Sequence, residues 1–308
     1  MKVTRVGVVA IACVVLLSAA PSAEARLSCA FSGPPQNLLT VTASGFGTDA
    51  LIGRSGDRII VRQFLGRTRT CSGDDPTVFN TDTIKVLLQR DGGGELRLGG
   101  GPFAPGATPE PEGESEIEVE FSGRIVDPGV TGTPAADEFQ WGPAGAHPGL
   151  NLNPNSANDS DVDVTLKGKY SFMVAAGAGG DDKIVPAPGF VGRSDGLYSD
   201  GGKGDDLLIA PPTGGGVLDG GPGDDRITGG RLRDYLIGEA GDDRLSGGGG
   251  DDLIEGGRGS DLIFGGPGPD YIKTGHDSRR DVVRCGPGRD RLRHARPDRF
   301  SGCEVISH

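Results

Sequence analysis

Residues 220–264 read GGPGDDRIT, GGRLRDYLI, GEAGDDRLS, GGGGDDLIE and GGRGSDLIF, which are consecutive units of nine residues. They belong to a run of such units from 211 to 273 that share the pattern G-G-x-G-x-D-x-U-x, with U a large aliphatic residue. The sixth position is Asp in every unit except the first, where Gly216 stands. The eighth position is always Leu or Ile: Leu218, Ile227, Leu236, Leu245, Ile254, Ile263 and Ile272. This period decides the fold.

A nine-residue period fits no whole number of helical turns, and glycine at this density opposes a helix. A short strand x-U-x followed by a six-residue turn G-G-x-G-x-D does fit, because alternation along the strand points only U inward. Two units then make one coil of about eighteen residues, and coils stack as a solenoid. The pattern therefore predicts an all-β fold in which the C-terminal half is a parallel β-roll.

Stacking brings the Asp residues of successive coils into register, and several units carry two adjacent acids, as at Asp224 and Asp225. Like charges a few ångströms apart in partly dry surroundings repel by several kcal/mol. One buried aliphatic side chain per unit contributes only about 1.5–3 kcal/mol, whereas ordering the backbone costs about 1–2 kcal/mol per residue. A divalent cation between coils changes this balance. Carboxylate and carbonyl oxygens in loose geometry are the ligands of Ca²⁺, whereas Mg²⁺ demands a tighter octahedron.

The units resemble the calcium-binding nonapeptides of the RTX (haemolysin-type) family, which form a parallel β-roll, and the resemblance covers residues 177–293. It implies several Ca²⁺ ions, each held between units n and n+2. The implied loop pairs are 220–225 with 238–243, 238–243 with 256–261, and 247–252 with 265–270. The implied metal ligands are the side chains of Asp206, Asp225, Asp243, Asp252, Asp261 and Asp270, with the backbones of Gly221, Gly223, Gly241, Gly248, Gly250, Gly257, Gly259, Gly266 and Gly268.

The sequence departs from the family pattern at particular loops. Unit 211–219 lacks the Asp, and unit 229–237 has Leu232 where a glycine is expected, so we expect weak or absent sites around 211–216 and 229–234. Glu239 replaces the second glycine of its unit. In the last matching unit, 285–293, Arg289 precedes the Asp, which favours a cap over a site. A disordered Gly/Asp linker is the alternative for the whole tract, but a linker has no reason to keep an aliphatic residue at every ninth position.

Residues 1–25 are predicted to be a secretory signal, with Lys2 and Arg5 before an apolar run and Ala-Glu-Ala at 23–25 as the cleavage site. No later segment is hydrophobic enough to cross a membrane, so we expect a secreted protein, in the extracellular space or at the cell surface. Typical RTX proteins lack such a signal. The combination is similar to small secreted calcium-binding proteins of high-GC Gram-positive bacteria.

Four cysteines follow the predicted signal: Cys29, Cys71, Cys285 and Cys303. An even number in an exported chain favours two disulfides, for which the sequence allows three pairings. We favour Cys29–Cys71 and Cys285–Cys303, because each pair falls at one end of the chain. The second pair would hold the final coil, and residues 294–308 are predicted to be a C-terminal cap.

Residues 26–176 are predicted to be β-rich but irregular. Residues 116–121 and 161–166 alternate strictly and predict strands, as do 38–42 and 59–61, whereas the Pro- and Gly-rich stretch 99–113 predicts a long loop. Weak copies of the D-x-U pattern end at Ile59, Ile84 and Phe139. They favour degenerate coils continuous with the roll, and a separate small β-sandwich is the alternative.

The formal net charge of −12 disfavours nucleic acid and anionic membranes as partners. The arginines between 279 and 299 are compatible with an anionic cell-envelope polymer, and also with a solvated cap. H-E-x-x-H does not occur, so the chain has no zincin signature. G-x-S-x-G occurs once, at 192–196, but no helical pattern follows it, so the strand-turn-helix elbow of an α/β-hydrolase is not predicted. The sequence predicts a secreted, non-catalytic calcium-binding protein with a structural, adhesive or envelope-associated role. A polysaccharide-acting lyase or epimerase with an RTX-like module is the alternative.

Overall fold

The structure, a computed structural model, describes residues 26–33, 36, 38–44, 50–55, 58–63, 68–69, 71–73, 76, 83–88, 95–99, 118–124, 127–131, 138–144, 147–151, 164–169, 172–187, 196–295 and 297–307. All regular elements in these ranges are β-strands, which confirms the all-β prediction. Within the same ranges there is no helix that could cross a membrane. The predicted signal at 1–25 lies outside the described residues, as does the predicted loop 99–113 beyond Gly99.

The strands of the N-terminal region are short and irregularly spaced. In chain order they are β1 Arg26–Ser32, β2 Leu38–Ser44, β3 Ala50–Ser55, β4 Arg58–Gln63, β5 Thr68–Arg69, β6 Thr83–Leu88, β7 Glu95–Gly99, β8 Glu118–Arg124, β9 Asp127–Thr131, β10 Glu138–Ala144, β11 His147–Asn151, β12 Val164–Lys169 and β13 Phe172–Ala176.

The strands of the C-terminal region recur once per repeat unit. They are β14 Lys183–Pro186, β15 Gly196–Asp200, β16 Leu207–Ile209, β17 Gly216–Pro222, β18 Arg226–Thr228, β19 Tyr235–Ala240, β20 Arg244–Ser246, β21 Leu253–Arg258, β22 Leu262–Phe264, β23 Tyr271–Lys273, β24 Val282–Arg284, β25 Arg291–Arg293, β26 Arg299–Ser301 and β27 Val305–Ser307.

The strands form two long sheets. Sheet A has the order β1-β2-β6-β8-β12-β11-β10-β14-β16-β18-β20-β22-β24-β26. Sheet B has the order β5-β4-β3-β7-β9-β13-β15-β17-β19-β21-β23-β25-β27. From β13 onward the chain alternates between the two sheets at every strand, and all pairs within each sheet are parallel. This is the predicted parallel β-roll.

The register gives the length of one coil. Arg226 pairs with Arg244 and Tyr235 with Leu253, so equivalent positions are 18 residues apart. Two nine-residue units therefore make one coil, as predicted. The offset grows to 20 residues where Leu262 pairs with Val282, because two residues are inserted near His276. The roll continues past residue 293, since β26 and β27 add one further strand to each sheet.

The aliphatic residues at the eighth position fill the interior between the two sheets. Each is at most 2 % exposed, from Leu218 to Ile272, and the same holds for Leu208, Val283 and Leu292 outside the regular run. Each strand shows the expected alternation, with the middle residue buried and its neighbours facing outward. Burial of each side chain stabilises the fold by about 1.5–3 kcal/mol, so this aliphatic row is the apolar core of the roll.

The N-terminal region shares both sheets with the roll, as the degenerate-coil prediction requires. Strands β2, β6 and β8 pair in parallel in sheet A, and β3, β7 and β9 do so in sheet B. Antiparallel strands interrupt the coils, as in the pairing of β10 with β11 and of β3 with β4. Ile84 and Phe139 are buried in parallel-paired strands, whereas Ile59 is buried in the antiparallel β4. The described N-terminal strands therefore do not form a separate β-sandwich.

Both favoured cysteine pairs are disulfides. Cys29 is bonded to Cys71, and Cys285 to Cys303. Cys29 lies in β1 at the first end of sheet A, and its carbonyl oxygen accepts a hydrogen bond from the N–H of Ser72 at 3.0 Å. Cys285 is fully buried directly after β24, so its bond to Cys303 ties the last coil to the preceding one.

Candidate calcium sites between coils

The Asp at the sixth position of each unit ends the turn and begins the strand, and it points inward. All such residues are at most 2 % exposed: Asp182, Asp206, Asp225, Asp234, Asp243, Asp252, Asp261, Asp270, Asp281 and Asp290. The six predicted Asp ligands are among them. Since carboxylates are rarely buried without a partner, this row requires compensation.

Part of the compensation comes from the backbone of the preceding coil. The N–H of Asp225 donates to Oδ1 of Asp243 at 2.8 Å, and the N–H of Asp243 donates to Oδ1 of Asp261 at 3.0 Å. On the opposite side of the roll, the N–H of Asp252 donates to Oδ1 of Asp270 at 3.0 Å. The Asp row is therefore a hydrogen-bonded ladder. This structural role was not foreseen from the sequence, because it depends on which residues the coil register places together.

The second carboxylate oxygen has no such partner. Within the part of the chain that the structure describes, Oδ2 is buried without a hydrogen bond in seven ladder residues: Asp206, Asp225, Asp243, Asp252, Asp261, Asp270 and Asp290. An unsatisfied buried acceptor costs about 1–3 kcal/mol, and more when it carries charge. These oxygens repeat from coil to coil and form two lines of unsatisfied acceptors, one on each side of the roll.

In several units a backbone carbonyl of the next coil lies close to the orphaned oxygen, beside the first glycine of the unit. A Cβ at Gly247 would lie 2.5 Å from Oδ2 of Asp252 and 2.6 Å from the carbonyl oxygen of Gly265, one coil later. Equivalent oxygens converge at Gly201 and at Gly238. Only glycine fits at these positions, and the oxygens that exclude a side chain are those that a cation prefers.

The second and fourth glycines direct further carbonyls between the coils. All nine that were predicted as ligands have φ between +93° and +153°, a region that side chains disfavour. A Cβ on Gly266 would collide with the carbonyl oxygen of Gly248, and a Cβ on Gly259 would collide with that of Gly241. Glu239 keeps the glycine-like conformation with φ +71°, so its departure from the pattern does not change the course of the turn.

Burial makes the ladder carboxyls reluctant to ionise without a cation. Burial raises the pKa of Asp225 to about 8, an effect partly offset by the hydrogen bond from the N–H of Asp206 and reinforced by the neighbouring Asp243. In the same way it raises the pKa values of Asp243, Asp252 and Asp261 to about 7. A bound divalent cation would reverse this preference, because it favours the charged form.

The donor set fits Ca²⁺. Among the described residues no three His, Cys, Asp or Glu side chains converge as a metal-binding group, so each position offers few carboxylates and several carbonyls. Six to eight oxygens in loose geometry are typical of calcium. The residues that would hold the ion are the orphaned Asp oxygens together with the glycine carbonyls of facing loops.

Loops 211–216 and 229–234 differ from the rest, as the sequence indicated. No residue in either loop has positive φ. Oδ2 of Asp234 accepts a hydrogen bond from the N–H of Gly230 at 2.7 Å, and its Oδ1 accepts one from the N–H of Gly216 at 2.8 Å. Asp234 is therefore satisfied by hydrogen bonds from both loops, and it stays a prediction that this pair of loops holds calcium weakly or not at all.

Some ladder positions were missed or undervalued in the sequence. Asp281 is buried in the inserted unit, where the D-x-U pattern of Asp281 and Val283 was the available signal. Asp290, which was assigned to a cap, has the same orphaned oxygen as the other ladder residues. In the last coil the acidic positions are Asp298 and Glu304, which accept hydrogen bonds from the N–H groups of Asp281 and Asp290.

The repeat matches a known family model. Two overlapping segments, 219–254 and 237–272, match the model described as the RTX calcium-binding nonapeptide repeat (4 copies). A search of curated proteins found no match to the chain. The match confirms the resemblance read from the sequence: the central part of the chain carries RTX nonapeptide repeats, and this supports a calcium-binding role.

Proposed function

We propose that this protein is secreted, that its roll binds several Ca²⁺ ions between coils, and that ion binding and folding of the roll are one event. The seven orphaned carboxylate oxygens, which lie in two lines along the roll, carry this proposal. Without a cation these oxygens oppose folding through desolvation and mutual repulsion. With Ca²⁺ they become ligands, and the binding free energy contributes directly to the stability of the fold.

The proposed setting is outside the cell. Extracellular calcium modules bind at about 10⁻⁴–10⁻³ M, so a tract of this kind stays unfolded where calcium is scarce and folds after export. The Cys29–Cys71 and Cys285–Cys303 disulfides are consistent with an oxidising compartment. The proposed role is non-catalytic, namely structural, adhesive or envelope-associated.

Asp252→Asn tests the calcium assignment sharply. The amide keeps the Oδ1 that accepts the N–H of Asp234 at 2.9 Å, and it places an N–H₂ donor near the carbonyl of Gly265. The variant should therefore be more stable than the parent in chelator, and less stable at millimolar calcium. Thermal unfolding followed by circular dichroism measures this reversal, with a stabilising osmolyte added to the chelated samples so that the calcium-free roll folds.

Asp251→Asn is the matched control, because it makes the same charge change at the exposed neighbouring position. It should shift both melting temperatures only slightly. If Asp252→Asn shifts stability in the same direction with and without calcium, the residue acts only as a structural hydrogen-bond acceptor and the proposal fails.

A direct assay addresses the enzymatic alternative. Incubation of the calcium-loaded protein with uronate polymers should give neither unsaturated product nor a change in epimer composition. Formation of either product would overturn the non-catalytic role.

A further inference from the structure

The outward face of sheet B carries a regular column of tyrosines. Tyr198 pairs with Val217, Val217 with Tyr235, Tyr235 with Leu253, and Leu253 with Tyr271. Three of the four tyrosines in the chain therefore occupy one column, with an aliphatic residue between each two. Tyr271 is 39 % exposed, so this column forms part of the surface.

The spacing of the column is set by the coils. Neighbouring strands lie about 4.8 Å apart, so tyrosines on alternate coils recur about every 9.6 Å along the roll. The hydroxyl of Tyr235 donates to Oε1 of Glu255 at 3.3 Å, one coil later, so the ring extends along the axis of the roll. Glu255 is itself held by Nζ of Lys273 at 2.8 Å. These contacts fix the ring in place.

A second, polar column lies two residues further along each strand. It contains Asp200, Asp219, Ile237, Glu255 and Lys273, in register from coil to coil. Beside it runs an open groove of about 460 Å³. Its principal lining residues are Glu239, Glu255, Gly257, Arg258, Lys273 and His276. The face thus combines flat aromatic surface with adjacent hydrogen-bonding groups.

The opposite face lacks this arrangement. The equivalent column of sheet A contains Leu207, Arg226, Arg244, Leu262 and Val282. Its neighbouring column has one aromatic residue, Phe264, with the guanidinium groups of Arg244 and Arg284 at 5.1 and 5.6 Å from the ring centroid. Because both sheets have the same coil geometry, the roll itself does not require tyrosine on alternate coils. The tyrosine column therefore points to a ligand.

We propose that the outer face of sheet B binds an extended, β-linked polysaccharide chain that lies along the axis of the roll. The tyrosine spacing is comparable with the length of a disaccharide, so every second sugar would rest on a ring while the polar column and groove bind hydroxyl groups. This ligand fits because tyrosine offers a large rigid apolar surface with a polar tip. The inference rests on the proposed function in one respect, since the column exists only when the roll is folded.

The charge of the face restricts the class of polysaccharide. Asp200, Asp219, Glu239 and Glu255 oppose Lys273 and Arg258 along the tyrosine segment, so the face is net negative in the calcium-loaded roll. A polyuronate would be repelled. The ligand class is therefore a neutral or amino-bearing glycan.

Isothermal titration calorimetry of the full chain with calcium tests the proposal, with the hexasaccharide of β-1,4-linked N-acetylglucosamine as the probe. Saturable binding is expected, and Tyr235→Ala and Tyr271→Ala should each weaken it by roughly threefold to tenfold. Phe264→Ala, which removes an aromatic ring from the opposite face, should leave the affinity unchanged. A galacturonate hexamer should bind more weakly than the neutral probe.

Circular dichroism of every sample, with and without chelator, measures folding of the roll independently of glycan binding. If the parent folds with calcium but does not bind the hexasaccharide, or if the tyrosine variants fold and bind as the parent does, the glycan proposal is overturned. If the galacturonate hexamer binds more tightly than the neutral probe, the assignment of ligand class is wrong. If the β signal is independent of calcium, the proposed function fails whatever the calorimetry gives.

Discussion

The N–H of Asp243 donates to Oδ1 of Asp261, the same position one coil later, at 3.0 Å. The other oxygen of Asp261, Oδ2, is buried without a hydrogen bond. One carboxylate thus has two separate roles: its Oδ1 holds successive coils in register, and its Oδ2 is left for a cation. Substitutions that remove one role and keep the other can separate them.

Alanine at a ladder position removes both roles. Asp252→Ala loses the acceptor for the N–H of Asp234 as well as the proposed calcium ligand. We expect it to lower the free energy of unfolding in calcium by about 2–4 kcal/mol and to weaken the two adjoining turns. Chemical denaturation at saturating calcium measures the change.

Asp219→Ala is the control outside the ligand position. Oδ1 of Asp219 is buried without a partner, and burial with the nearby Asp200 and Glu239 raises the pKa of this carboxyl to about 7. Its removal should leave stability unchanged or slightly increased. Equal losses for Asp252→Ala and Asp219→Ala would contradict the assigned register.

The calcium-free chain should become more stable as the pH falls. The pKa values of Asp225 and Asp243 are raised from 3.8 to about 8 and about 7 by burial. At pH values between the unfolded-state pKa of 3.8 and these raised folded-state values, the folded state binds more protons than the unfolded state. Acidification from about pH 8 to about pH 4 therefore favours folding. Melting curves in chelator at several pH values, with the same stabilising osmolyte in every sample, provide the measurement.

The calcium-loaded chain should show the opposite trend, because protons compete with calcium for the same oxygens. Calcium affinity should therefore fall as the pH is lowered through 7. A chelated chain that melts at a higher temperature at pH 8 than at pH 5 would argue against buried, uncompensated carboxyls.

Two neighbouring glycines should respond differently to the same substitution. Gly248 has φ +93°, and its Cβ would collide with the carbonyl oxygen of Gly230. Gly249 does not have positive φ, and its Cβ would lie 3.7 Å from the nearest oxygen, that of Pro267. We expect Gly248→Ala to cost about 2 kcal/mol or more, and Gly249→Ala to be neutral or to stabilise by up to about 1 kcal/mol. Calcium titrations monitored by circular dichroism would show whether the midpoint shifts for Gly248→Ala alone.

The last coil should depend on its disulfide. Phe300 and Ile306 stand at the core position of β26 and β27, the last described strands, and are 39 % and 44 % exposed. Replacement of Cys285 and Cys303 by Ala opens a loop with a sequence separation of 18 and should cost about 3 kcal/mol. Hydrogen exchange should rise in 299–307 while it stays unchanged in 226–264. Uniform exchange along the whole roll would show that the coils do not unfold from the end.

The sequence alone determined the period, the two-unit coil, the buried aliphatic ladder and the position of the acidic row. These features follow from local alternation and turn chemistry, which repeat with every unit and need no distant information. Ile227, Asp225 and Gly223 could each be assigned from their place within nine residues. The cysteine pairs were also predicted, because position along a solenoid translates directly into position in the chain.

Only the tertiary structure decided what the stacking of coils brings together. It showed that Oδ1 of each ladder Asp is used by a backbone N–H, that Asp234 is satisfied by Gly230, and that Tyr198, Tyr235 and Tyr271 share one column. It also joined the N-terminal strands to the same two sheets. Contacts between coils depend on register over 14 to 24 residues, which insertions such as the one near His276 alter without changing the local pattern.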